Sequence, residues 1–96
     1  MQKNQTVRLL KQFFKSKPVN KAYLFGSVAR GDVTPNSDLD ILVELDRSKP
    51  IGLEFIQLQL DLEHLLKQKV DLITEKSVSK HIRAFIEKDK ELIYEK

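Results

Sequence analysis

Apolar positions along this chain change period several times, and each change marks an element. Val7, Leu10 and Phe14 recur at i, i+3 and i+7, with Leu9 and Phe13 widening the stripe, which predicts an amphipathic helix over residues 5–16. Lys17-Pro18 ends it, because proline disfavours helical backbone at the residue before it. Residues 21–25 read as a buried strand. Ser27 to Arg30 leaves space for a turn or two of helix closed by Gly31, and Thr34-Pro35-Asn36 is a turn cluster. A second strand is expected over 38–45, where the run Ile41-Leu42-Val43 implies burial on both faces. Asp46 to Pro50 is a polar loop. Leu53, Phe55, Ile56, Leu58, Leu60, Leu62, Leu65 and Leu66 then mark a long helix with a broad apolar surface. Residues 70–74 read as a third strand. The tail from Ser79 to Lys96 reads as helical, capped by Ser77 or Ser79, with Ile82, Phe85, Ile86, Ile93 and Tyr94 as its apolar positions.

This order predicts one domain over 1–96, of α/β (α+β) class, with a small mixed β-sheet flanked by helices. A helix between the second and third strands is the crossover a parallel pair requires. Asp71, in Val70-Asp71-Leu72-Ile73, then falls at the start of the third strand. If the first two strands are antiparallel, the end of strand one, Gly26-Ser27, meets the start of strand two, Asp38 and Asp40. All five residues would converge at one end of the sheet.

Composition narrows the class. The 96 residues are 41% hydrophobic and contain no cysteine, so a disulfide framework and thiolate metal sites are excluded. No apolar run approaches the roughly 20 residues of a membrane span, and the N-terminus is too polar for a signal peptide. The expectation is a soluble, cytoplasmic protein that does not engage membranes. The net charge of +3 is unevenly spread: residues 1–31 hold seven Lys/Arg and no acid, and all fourteen acids lie from Asp32 onward. A basic first third suits phosphates or an acidic partner, or is simply a solvated helix face. It is too diffuse for a nucleic-acid motif.

The candidate chemistry sits in Gly26-Ser27-Val28-Ala29-Arg30-Gly31-Asp32 and Ser37-Asp38-Leu39-Asp40-Ile41-Leu42-Val43. A glycine admits close backbone approach by a ligand. The free N–H groups of a helix start favour phosphate, and the Ser27 hydroxyl adds a donor. Asp38 and Asp40 are i and i+2, so on a strand their carboxylates share a face. Hard oxygen donors of this kind suit Mg²⁺, which commonly binds one or two carboxylates together with substrate phosphates. Arg30 lies three residues past Ser27, in reach of phosphate or of the aspartates. Asp32 and Ser37 read as loop-fixing residues, and His64 and His81 have no partner at metal-ligand spacing.

Taken together, the two segments resemble the signature of the minimal nucleotidyltransferases of the DNA polymerase beta superfamily, Gly-Ser-x-Ala-Arg-Gly-[Asp/Glu]-x(4)-Ser-Asp-x-Asp-x-x-Val. Every fixed position is matched, and Asp71 supplies the family's third acid. The resemblance covers roughly residues 20–75. It implies a polymerase-beta-like nucleotidyltransferase fold with Asp38, Asp40 and Asp71 as ligands of two Mg²⁺ ions. Asp71 would double as a base, and Gly26, Ser27 and Arg30 would bind the nucleoside triphosphate, ATP in the family. Stand-alone proteins of this kind resemble antitoxins that AMPylate a tyrosine on a HEPN-domain ribonuclease toxin. The short stretch after Asp71 implies that the acceptor arrives on a partner, or that another subunit completes the site as a homo- or hetero-oligomer. The partner surface is then expected at the carboxylate end of the sheet, rimmed by the basic residues of the first third. Two rivals remain open: a non-catalytic antitoxin that covers its toxin, and an antibiotic nucleotidyltransferase subunit acting on an aminoglycoside.

Overall fold

The computed structural model describes residues 3–26, 39–46, 48 and 52–96. The first helix, α1 (Lys3–Phe14), begins two residues earlier than its pattern predicts. Thr6, Leu10 and Phe14 are buried at i, i+4 and i+8, which is one helical face. Pro18 releases the chain directly into strand β1 (Val19–Phe25). This strand starts before residue 21 because Val19 is itself fully buried and pairs with Leu45. The next strand, β2 (Leu39–Leu45), is antiparallel to β1. Helix α2 (Leu53–Leu66) crosses back to β3 (Val70–Thr74), which is parallel to β2. Strand pairing thus agrees with both sequence expectations, and the bounds of α2 and β3 coincide with them.

The tail departs from its pattern. Helix α3 (Lys80–Asp89) ends with the Lys90 amide donating to the Ile86 carbonyl at 2.7 Å, and strand β4 (Glu91–Glu95) follows, antiparallel to β1. Helical continuation would leave the outer edge of β1 unpaired. Pairing instead satisfies that backbone and buries Ile93, while Tyr94 packs on Phe14 with ring centroids 5.9 Å apart. The sheet has four strands in the order β3-β2-β1-β4.

Side-chain alternation divides the sheet into two faces. Ala22 and Leu24 of β1, Leu39, Ile41 and Val43 of β2, and Val70 and Leu72 of β3 form the core face together with Leu10 and Phe14 of α1 and Leu58, Leu62 and Leu66 of α2. The second face carries Tyr23, Phe25, Asp40, Leu42, Glu44, Asp71 and Ile73, as the register requires. There Leu42 is only 8% exposed, so β2 is covered on both sides along the run that predicted it. The broad pattern of α2 resolves into a buried stripe and an exposed one: Leu53, Ile56 and Leu60 point outward. Its last turn gives way to Lys67 in a left-handed conformation, after which the Glu63 carboxylate accepts the Val70 amide at 3.2 Å and fixes the entry to β3. Among the described residues no helix is long and apolar enough to cross a membrane.

The two stripes of α2 make a direct test. Leu62→Ala empties a fully buried position and is expected to cost about 2–5 kcal/mol. Leu60→Ala, on the exposed stripe, is expected to stay within about 0.5 kcal/mol. Urea unfolding of both variants, followed by far-UV circular dichroism, checks this. Equal losses would mean that α2 packs on a different face.

Candidate active site

Asp40 lies between Leu39 and Ile41, two of the most completely buried residues of β2, so strand alternation turns it to the opposite face. Its register neighbours are Phe25 on β1 and Asp71 on β3. Paired residues on adjacent strands leave the same face, and the strands are spaced at about 4.8 Å. The Asp40 and Asp71 carboxylates are therefore side by side, the first half-buried in the middle of the sheet and the second exposed on the edge strand β3. Asp71, identified by its place at a strand start, meets Asp40 in register. Like charges directly opposite one another on adjacent strands are destabilising without a cation between them.

Gly26 follows β1 directly and completes the described part of this site. Its φ is +75°, the left-handed region that favours glycine, and a Cβ there would collide with Asp40 Oδ2 and lie 3.2 Å from its Cγ. The absence of a side chain brings the backbone against the Asp40 carboxyl. Ser27, Arg30 and Asp38 lie outside the described residues, as do Val28, Asp32, Ser37 and the Thr34-Pro35-Asn36 turn. Among the described residues no group of three His, Cys, Asp or Glu stands together as a metal site. The described pair nonetheless fits a hard divalent cation in its chemistry, since both groups are carboxylates on one face beside a glycine.

Two further features went unread in the sequence. A cleft of about 210 Å³ opens on the same face between the sheet and α3, with Tyr23, Leu42, Val78 and Ile86 as its apolar lining. Arg83 and Lys90 are on its rim: the Arg83 guanidinium donates to the Glu75 carbonyl at 3.2 Å, and the Lys90 ammonium lies 4.8 Å from the Tyr23 ring centroid and 3.0 Å from Glu87. The signal available was the spacing of Arg83, Ile86, Glu87 and Lys90 on one helix face. The second feature concerns four of the basic residues of the first third. Lys11 and Lys15 border a groove along β4, Lys17 lies 5.0 Å from the Phe13 ring, and Lys21 pairs with Glu95 at 3.4 Å. Lys17 precedes β1 and Lys21 is its third residue, both toward the end opposite Gly26, because α1 and β1 are joined there; Arg30 lies outside the described residues.

Carboxylates paired on one face at a sheet end, beside a left-handed glycine, have the chemistry to hold a divalent cation against phosphate. Residues 7–93 match the nucleotidyltransferase domain family model, and the chain belongs to that family as an enzyme of the nucleotidyltransferase class. It is 44% identical over 89 residues to a candidate protein adenylyltransferase of Methanocaldococcus jannaschii, spanning 91% of this chain and 84% of that one. Its fold is similar to a chain in a solved toxin–antitoxin structure with AMP-PNP, at a TM-score of 0.74 and 24% identity over 100% of this chain and 75% of that one. It is also similar to a chain in the structure of a tri-AMPylated Shewanella oneidensis HEPN toxin in complex with an MNT antitoxin, at a TM-score of 0.64 and 21% identity over 98% and 70% of the two chains.

Gly26→Ala is expected to lower stability by about 1–3 kcal/mol, because the added Cβ forces either a strained backbone or displacement of Asp40. Chemical denaturation measures the loss. An unchanged midpoint and slope would show that the backbone at Gly26 tolerates a side chain and that its closeness to Asp40 is not a constraint.

Proposed function

We propose that this chain transfers a nucleoside monophosphate, AMP from ATP, to a hydroxyl on a HEPN-domain toxin and so acts as the antitoxin of the pair. The observation that supports it most is the register of Asp40 with Asp71 beside Gly26. The protein adenylyltransferase name of the 44% identical relative and the AMP-PNP and AMPylated-toxin complexes of its structural neighbours support the donor and the partner. In this reading the acceptor oxygen attacks the α-phosphorus. A phosphorus–oxygen bond forms, the bond to the β-phosphate bridging oxygen breaks, and pyrophosphate leaves. The hydroxyl proton passes to the Asp71 carboxylate, which is exposed on an edge strand and accessible to a group carried on another protein.

Asp38, Asp40 and Asp71 would hold Mg²⁺, two ions in this reading. When bound, they supply charge neutralisation at the triphosphate and at the attacking and leaving oxygens. Gly26 keeps the backbone open for the triphosphate. Ser27 and Arg30 are proposed as further phosphate contacts on the sequence motif alone. Most of the rate gain would come from positioning, since holding a hydroxyl in line with the α-phosphate is worth several kcal/mol of barrier. The isolated chain is then expected to bind the nucleotide and turn over slowly.

Asp40→Asn preserves volume and is expected to leave the thermal midpoint near wild type while abolishing transfer. Intact-mass spectrometry of a co-expressed HEPN toxin checks this, with additions of one AMP per modified hydroxyl expected for wild type and none for the variant. Unmodified toxin that is nevertheless neutralised by both forms would reject transfer as the mode of action and leave covering of the toxin by binding. Multiple turnover onto a free aminoglycoside, unaffected by the toxin, would favour the antibiotic-modifying activity.

A further inference from the structure

In the proposed site the acceptor and the leaving pyrophosphate lie on opposite sides of the α-phosphorus, and the nucleoside oxygen is one of the three substituents to the side of that line. Gly26, at the end of β1, takes the leaving phosphates. Asp71, on the far side of Asp40 at the β3 edge, takes the acceptor. The line from Gly26 through Asp40 to Asp71 runs across the strands. The nucleoside leaves to the side of that line, and a direction along the strands, over the face that carries Asp40, is open to it. One step of the pleat in that direction, Phe25 and Asp40 give way to the next pair on the same face, Tyr23 and Leu42, at a distance of about 6.6 Å. Those two residues are the floor of the cleft under α3.

We propose that the cleft between Tyr23, Leu42, Val78 and Ile86 is the nucleobase subsite of this transferase. The proposal rests on the transferase reading above and places the base in that reading. Size supports it. At about 210 Å³ the cleft is smaller than sites that enclose whole drug-sized ligands, which begin at about 300 Å³. It suits one planar ring system, with the sugar and phosphates lying outside it toward Asp40. Its lining fits as well. Tyr23, Leu42, Val78 and Ile86 offer flat and aliphatic surface to the faces of a base, and Arg83, Glu44 and Glu87 offer polar groups to its edge. Lys90 lies over the Tyr23 ring and bridges to Glu87, closing the cleft on its β4 side, while Arg83, bonded to the Glu75 carbonyl, lies at the end remote from the carboxylates. An acceptor side chain in the same cleft would approach along the strands, out of line with the Gly26-to-Asp71 direction that displacement requires.

The test separates the base from the phosphates. Val78 is half-buried in the connection before α3, and Val78→Trp fills the cleft over Tyr23 and Leu42 while leaving every strand residue unchanged. Calorimetry in Mg²⁺ is run with ATP and with inorganic tripolyphosphate, which has phosphates and no nucleoside. The variant is expected to weaken ATP by about tenfold or more and to change tripolyphosphate by less than about twofold. Equal ATP affinities in wild type and variant, with an increased KM for the toxin, would overturn the proposal and give the cleft to the acceptor. Failure of wild type to bind either probe would overturn the transferase reading, and this proposal with it. A second measurement on the wild-type chain does not depend on the variant folding: photo-crosslinking with an azido-adenine analogue of ATP is expected to label Tyr23 or the segment 78–90, and labelling confined to other segments would overturn the assignment.

Discussion

The register of β2 between its two neighbours is the constraint on which the site depends. Leu39, Ile41 and Val43 must face the core, because α1 and α2 close over that side and leave each of them 0–1% exposed. A slip of one residue would turn all three to the other face and put Asp40 and Glu44 into the core. The penalty for burying a carboxylate without a partner outweighs the benefit of burying any one apolar side chain in its place. The apolar residues therefore hold Asp40 opposite Phe25 and Asp71 by exclusion, and the site inherits its geometry from a core that takes no part in the chemistry.

The same register carries a cost. Two carboxylates directly opposite one another on adjacent strands repel, and nothing in strand pairing favours that arrangement. Leu72 and Val70, on either side of Asp71, keep it in place by packing on the other face. Glu63 adds a local fix, accepting the Val70 amide so that β3 begins where it does. Two carboxylates brought to one face by core packing suit a hard divalent cation. In a structural pair, substitution of either acid by a neutral residue would relieve the repulsion without consequence.

Much of this was legible in the sequence, for physical reasons that differ from element to element. The period of α2 and the run Val70-Asp71-Leu72-Ile73 set their bounds, because apolar spacing there is long and continuous. Asp71 was singled out by the family resemblance and supported by topology: a helical crossover makes β2 and β3 parallel, and that places both acids at one sheet end. The tail was misread because its apolar residues are too few to separate two periods. Ile86 and Ile93 suit a helix seven residues apart, and only the pairing edge of β1 decides otherwise. Ile93-Tyr94, β-branched then aromatic, was the local sign of a strand. Lys17 and Lys21 fall outside the expected basic rim for a related reason. Charge counts along a chain do not say which end of a strand a lysine occupies, and the α1–β1 connection carries Lys17 and Lys21 away from the carboxylates.

The two edges of the sheet bear on the proposal that the acceptor is carried by a macromolecule. At the β4 edge, Tyr94 packs on Phe14, and the Phe13 and Phe14 rings meet edge to face at 5.4 Å, so that side is tied to α1. At the β3 edge, Asp71 is exposed and carries its carboxylate to the border of the sheet. A small acceptor would need walls to hold its hydroxyl in line, since an unheld reactant forfeits the entropic advantage of the site. A protein acceptor brings its own rigidity and needs only a surface that lets one side chain reach Asp71. In the proposed reaction an exposed acid on an edge strand, beside a half-buried one in the middle of the sheet, would meet that need: the core fixes Asp40 and leaves Asp71 open to a docked partner.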